Sequence, residues 1–182
     1  MHSHTTFFTP SIKQRGFSMV EILVTVAIIA TSLLGTAGLQ AYAMRVNQGA
    51  QLRTQAVFLA SDIVERIEAN KAGATSNDGY TLGETSSAPT SVDTCASSSC
   101  SASNLASYDL NQWSNSIATL LPQATAWEIC IDANLDGACD GTTIATNPTN
   151  YLIRISWTDR RYDKNNTDVT FSYTSTRTIS SN

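Results

Sequence analysis

An apolar run that begins at Phe17 and continues to Leu39 with one charged residue, Glu21, constrains this chain more than any other feature. Read as a helix at about 1.5 Å per residue, such a run crosses a hydrocarbon core about 30 Å thick. It cannot stand alone in water and needs lipid or other helices around it. Lys13 and Arg15 lie just before it. The positive-inside tendency therefore keeps the leader cytoplasmic and sends the C-terminus outward. An ordinary secretory signal also joins basic and apolar parts, but this run is long, and Ala41 and Ala43 only weakly suggest a cut after it. A plain single-pass anchor gives no reason for an acid near the start of the run. A carboxylate costs about 2.5–3.5 kcal/mol at the bilayer centre, and less near its edge.

The junction itself reads Lys13-Gln14-Arg15-Gly16-Phe17-Ser18-Met19-Val20-Glu21, then Ile22-Leu23-Val24-Thr25-Val26. It resembles the class III signal of type IV prepilins and of type II secretion pseudopilins. That resemblance implies cleavage between Gly16 and Phe17 by a membrane prepilin peptidase, which also N-methylates Phe17. It implies that Glu21 pairs with the free α-amine of a neighbouring subunit's first residue. An unpaired charge in an apolar bundle is costly, so such a pair sets the axial register of assembly.

The chain has 182 residues, 42% of them hydrophobic, which suits one small globular domain plus one long helix. Its formal charge of −4 falls to about −6 once Lys13 and Arg15 are removed. An acidic chain without a basic stripe gives no support to nucleic-acid binding, and Arg160-Arg161 is too short to change that. Both histidines, His2 and His4, lie in the leader. The mature chain would then hold no histidine for a Ser-His-Asp triad, a Cys-His pair or a histidine metal site.

Phe17 to Gly73 reads as one helix in two regimes, which would span roughly 85 Å if unbroken. Residues 17–40 are apolar all round. In residues 41–73, Val57, Ala60, Val64 and Ile67 follow the spacing of a buried stripe, widened by Leu59 and Ile63. Asp62 and Arg66 stand four apart and can pair on the wet side. Gly35, Gly38 and Gly49 each weaken a helix by about 1 kcal/mol relative to alanine and mark bending or close packing. Gly73 is a C-terminal stop signal. The head is expected over residues 74–182. From Ala74 to Ala102 the composition predicts an irregular loop with a short element near Tyr80-Thr81-Leu82. Ser103 to Leu121 predicts a second helix, with Leu110, Trp113, Ile117 and Leu120 on one face and Pro122 ending it. Three strands follow. Trp127, Ile129 and Ile131 alternate with Glu128, Cys130 and Asp132. Tyr151, Ile153, Ile155 and Trp157 carry the second, and Val169, Phe171 and Tyr173 open a third that continues to Ile179. Asp159 to Asn166 reads as a polar hairpin loop. The fold class is α+β, an antiparallel sheet packed on the second half of the long helix.

Four cysteines, Cys95, Cys100, Cys130 and Cys139, fall in the exported part, where an even count argues for disulfides. Of three connectivities, Cys95–Cys100 and Cys130–Cys139 are favoured because each pair is close in sequence. Free buried thiols are the alternative, and zinc has no C-x-x-C spacing to support it. Asp132-Ala133-Asn134-Leu135-Asp136-Gly137 fits the opening of a calcium loop, with Asp140 in the ninth place. Asp132, Asn134, Asp136 and Asp140 are thus weak calcium candidates. Thr143 stands where a bidentate glutamate is required, and a strand precedes the loop. The competing reading is an Asx- and Gly-rich turn pinned by Cys130–Cys139; otherwise no cofactor is expected.

Further segments resemble PilV-type minor pilins. They are Ser32-Leu33-Leu34-Gly35-Thr36-Ala37-Gly38-Leu39-Gln40, Cys100 to Trp113 with Leu120-Leu121-Pro122, and Tyr151 to Trp157. This resemblance implies a type IV pilin-like fold and a low-abundance structural subunit, not an enzyme. Such a subunit sits in the inner membrane with its C-terminus in the periplasm, then joins other minor and major pilins, near the tip of the pilus. A type II secretion pseudopilin and a pilus-tip binding module of adhesin type are the alternatives. Asp132, Asp136 and Asp140 with Glu128 lack any nucleophile or cofactor signature that would make an enzyme.

Overall fold

The computed structural model describes residues 16–75, 79–90, 93–140, 148–159 and 169–180. The basic leader, Thr143, Arg160-Arg161, most of the 159–166 loop and the Asn165-Asn166-Thr167 sequon lie outside them. The chain divides into two compact units at Met44/Arg45. Helix α1, Met19–Ala69, contributes to both.

In the first unit every described residue is exposed. Gly35 and Gly38 are helical, and nothing lies within 4 Å of a Cβ built at either. The hydroxyls of Thr25, Thr31, Ser32 and Thr36 each donate to a carbonyl three or four residues back, at 2.9 to 3.1 Å. Hydroxyls bonded in this way carry no unpaired donor into an apolar medium.

In the second unit α1 buries Ala56, Leu59, Ala60, Ile63 and Ile67. Leu59, Ala60, Ile63 and Ile67 are buried as the spacing predicts, and Ala56 joins them. Val57 is on the outer edge of this stripe at 38% exposure, and Val64 is half-buried. The helix also stops earlier than Gly73. Asn70 leaves helical geometry, with φ −113° and ψ 58°, and its side chain caps the four-residue helix α2, Lys71–Ala74. Gly73 is required there by contact: a Cβ would lie 2.7 Å from the carbonyl oxygen of Ala102.

After α2 come strand β1, Leu82–Thr85, and a 3-10 turn, Asp93–Ala96. Helix α3, Ala102–Leu120, is capped by Ser101, whose hydroxyl accepts from the backbone N–H of Asn104 at 3.2 Å. Its apolar face differs from expectation at its end: Leu121 is buried, whereas Leu120 is 54% exposed. The chain turns at Pro122 and Leu121 is the residue swept inward. Strands β2 (Ala124–Ile131), β3 (Thr149–Asp159) and β4 (Val169–Ile179) complete an antiparallel sheet in the order β1-β2-β3-β4. Trp127 pairs Ile155, Ile129 pairs Ile153 and Ile131 pairs Tyr151, so one face is a continuous apolar wall. Trp113, Ile117, Ile63 and Ile67 pack with it in one core. The α+β class of the sequence reading is the observed one.

Candidate processing and assembly site

Gly16, Phe17 and Ser18 precede the helix in extended or irregular backbone, and Phe17 is 78% exposed. Ser18 ends that stretch: its carbonyl accepts from the N–H of Glu21 at 3.0 Å and of Ile22 at 3.3 Å. Nothing lies within 4 Å of the position a Cβ would take on Gly16. The Gly16–Phe17 peptide bond is thus presented on an open, non-helical stub. Glu21 stands in the first turn of α1, where the partial positive charge of the helix start favours a carboxylate. Around it Val20, Ile22, Leu23 and Val24 are all exposed apolar side chains. An acid so placed favours one cationic partner over any apolar one. α1 is long and apolar enough to cross a membrane, with mean hydropathy 2.2 over its best window.

The second unit holds a polar cluster that the sequence did not reveal. Arg66 on α1 donates to Asp62 at 3.1 Å, as the spacing predicted, and also to Asp109 of α3 at 3.1 Å. The Tyr80 hydroxyl donates to the other Asp109 oxygen at 2.6 Å. Asn70 donates to the Tyr80 oxygen at 3.1 Å and to the Ala102 carbonyl at 2.8 Å. Four separate segments are joined in this way. Trp113 donates from Nε1 to the Leu59 carbonyl at 2.8 Å, and Trp127 to Ser114 at 3.0 Å. Tyr151 donates to the carbonyl of Ala74 at 2.6 Å. Among the described residues no buried side-chain nitrogen or oxygen lacks a partner. The only sequence hints were Asp109 on an otherwise uncharged helix and a lone Tyr80 in a small-residue loop.

Burial, then the bond to Asp109, pushes the Tyr80 phenol well above its ordinary value, and burial pushes Tyr151 up as well. A raised phenol pKa stabilises the fold below the unfolded value of about 10, and that contribution is lost as pH climbs towards the folded value. Above pH 10 the unfolded chain binds fewer protons than the folded one, so stability should fall by roughly 1.4 kcal/mol per pH unit for Tyr80, with a contribution of the same sign from Tyr151. Urea titrations at pH 8, 10 and 11 should show this decline, and Tyr80→Phe should flatten it. A slope unchanged by that substitution would reject the assignment.

Cys95 is bonded to Cys100 and Cys130 to Cys139, with Cα–Cα separations of 5.4 and 5.5 Å. The second bridge pins residues 132–140 over the outer side of β2. Glu128, Cys130 and Asp132, which alternate with the apolar residues of β2, are buried as well. Glu128 pairs with Arg154, its cross-strand neighbour, and Arg154 also donates to the Gly137 carbonyl at 3.0 Å. Glu128, Cys130 and Cys139 lie close together, but a disulfide sulfur is not a thiolate ligand. Replacing both Cys130 and Cys139 by serine should cost about 2–3 kcal/mol, from the loop entropy restored to the unfolded chain. Thermal unfolding followed by circular dichroism would measure it, and should show a smaller loss for the Cys95/Cys100 pair, which spans fewer residues.

The loop carboxylates are turned onto backbone N–H groups. Asp132 accepts from Asp136 and Gly137 at 3.1 and 3.0 Å, and Asp140 accepts from Ala133 at 2.8 Å. Asn134 accepts from the Asp136 N–H at 3.1 Å, and Asp136 from that of Ala138 at 2.8 Å. Leu135 has φ 61° and Gly137 φ 82°, so the turn passes twice through the left-handed region that glycine tolerates best. These are the contacts of an Asx turn.

Comparison with known families matches residues 38–111 to a family described as Type IV pilin Tt1218. Residues 12–37 match the prokaryotic N-terminal methylation motif. No curated protein and no solved structure gives a match. The two matched segments adjoin, and together they support a type IV pilin. They imply pilus assembly and processing by prepilin peptidase. A long N-terminal helix followed by a four-stranded antiparallel sheet fits the α+β fold of such pilins.

Proposed function

We propose that this chain is a minor pilin, a structural subunit that helps to start type IV pilus assembly. The observation that carries the reading is the exposed Gly16–Phe17 junction, set before an apolar helix whose first turn holds one carboxylate and inside a methylation-motif match. The precursor sits in the inner membrane with its C-terminus outside. Prepilin peptidase cuts after Gly16 and the new Phe17 amine is methylated. Glu21 then pairs with the Phe17 amine of a neighbouring subunit, and lateral packing of apolar helices replaces lipid with protein. Other minor and major pilins are the partners, and the role is structural rather than catalytic.

Intact mass of the protein from sheared surface filaments and from inner membranes tests this. A species starting at N-methylated Phe17 in the sheared fraction, with both disulfides formed, supports the pilus subunit. The same species confined to the membrane favours a type II secretion pseudopilin, and a chain that still starts at Met1 in both fractions rejects processing altogether. Glu21→Ala should be cleaved normally but enter filaments at a small fraction of the normal level. Immunoblots of the two fractions would read this, and normal incorporation would remove the register role given to Glu21.

A further inference from the structure

The second unit carries a cleft of about 890 Å³ between α1, the C-terminal end of α3 and the adjoining ends of β2 and β3. Gln48, Gln51 and Gln55 recur along one face of α1 and form one wall, while Gln123, Thr158 and Asp159 face them. A solvated helix face is ordinarily studded with lysine and glutamate; this one presents three neutral carboxamides in a row. Carboxamides donate and accept at once, so they suit a partner rich in hydroxyls. No lysine, arginine or histidine is among the described residues lining the cleft. The described lining therefore offers an anion no countercharge. The volume is within the range of small-molecule sites.

Two main-chain N–H groups of the cleft lining are already engaged. The Thr158 N–H donates to the Gln123 carbonyl at 3.0 Å, and the Ala124 N–H to the Leu121 carbonyl at 2.8 Å. A bound peptide would need such groups open to add a strand. Recognition therefore falls to side chains. Leu120 stands 54% exposed at the rim, beside Pro122, and supplies an apolar patch for C–H surfaces. The pairing of β2 with β3 is irregular between Ala124 and Ala126, and Thr125 between them lines the cleft.

We infer that this cleft binds a neutral oligosaccharide of two or three rings, held by the carboxamide row of α1 and by Leu120. The inference does not depend on the minor-pilin role, since it uses only residues of the second unit.

The test is calorimetry on the full mature chain in a polyoxyethylene detergent, which carries no sugar headgroup. The titrants are maltotriose, cellotriose and tri-N-acetylchitotriose, with trigalacturonate as the anionic counterpart and a neutral tetrapeptide. At least one neutral trisaccharide should bind saturably, at least tenfold more tightly than trigalacturonate. The double substitution Gln51→Ala, Gln55→Ala should weaken it at least tenfold, and Leu120→Ser should weaken it severalfold. Thr174→Ala, on exposed β4, should leave it unchanged. Gln51 and Leu120 are exposed, so these variants keep the fold, checked by circular dichroism. The inference is overturned by no saturable heat from any neutral trisaccharide up to about 10 mM. It is equally overturned by binding indifferent to the cleft substitutions, or by tighter binding of the tetrapeptide or the trigalacturonate.

Discussion

Trp113→Ala should lower the unfolding free energy of the head by about 3–5 kcal/mol, in the range of buried aromatic truncations. Trp113 is fully buried at the centre of the core and touches both halves of the architecture. Its ring fills the space between α1 and α3, and its Nε1–H reaches the carbonyl of Leu59 at 2.8 Å. Truncation opens a cavity and removes the only hydrogen bond of that indole. Trp113→Phe separates the two effects. It keeps most of the packing and loses the bond, so it should cost about 1–2 kcal/mol. Chemical unfolding followed by far-ultraviolet circular dichroism reads both. The cellular consequence is also measurable: a head so weakened is exposed to proteolysis, and the precursor should accumulate less. Equal losses for Trp113→Ala and Trp113→Phe would mean that the hydrogen bond, and not the packing, carries the role of Trp113.

The parts of this fold that were legible in the sequence are those fixed by local rules. The apolar run, the Pro122 stop of α3 and the alternation of β3 each depend on neighbours within a few residues. The pairing of Cys130 with Cys139 likewise needs only a short loop. What was misread depends on distant partners. Val57 was placed in the stripe because it is apolar, but the buried face runs through Ala56 beside the expected Ala60. Glycine at 73 looked like the helix stop. The stop is Asn70, because its side chain is engaged by Tyr80 and Ala102, which follow it in the chain. Glu128 is buried, and nothing in a period-2 pattern predicts that a disulfide-bonded loop will fold back over it. Arg66 was paired correctly with Asp62. Its second partner, Asp109, is 43 residues away, and no local pattern reports contacts of that kind.

That second partner is where the next largest effect should appear. Asp109 receives Arg66 on one oxygen and Tyr80 on the other. Asp109→Ala leaves a guanidinium with one carboxylate and a buried phenol with only the longer contact to the Arg66 carbonyl, at 3.4 Å. Breaking one side of a buried ion pair costs about 3–5 kcal/mol. Arg66 is about one-third exposed, at 32%, so water compensates part of the charge. The expected loss is therefore about 2–4 kcal/mol. A double-mutant cycle apportions it. If Tyr80 supplies much of the penalty through its weakly bonded hydroxyl, then Tyr80→Phe should cost less in the Asp109→Ala background than in the native chain. The difference should be about 1 kcal/mol or more, because the two residues share one bond. If the guanidinium dominates instead, Arg66→Met should show that coupling and Tyr80→Phe should not. Additive losses for both pairs would mean that α1, the Tyr80 segment and α3 are held together by packing alone, and the polar cluster would then have no part in joining them.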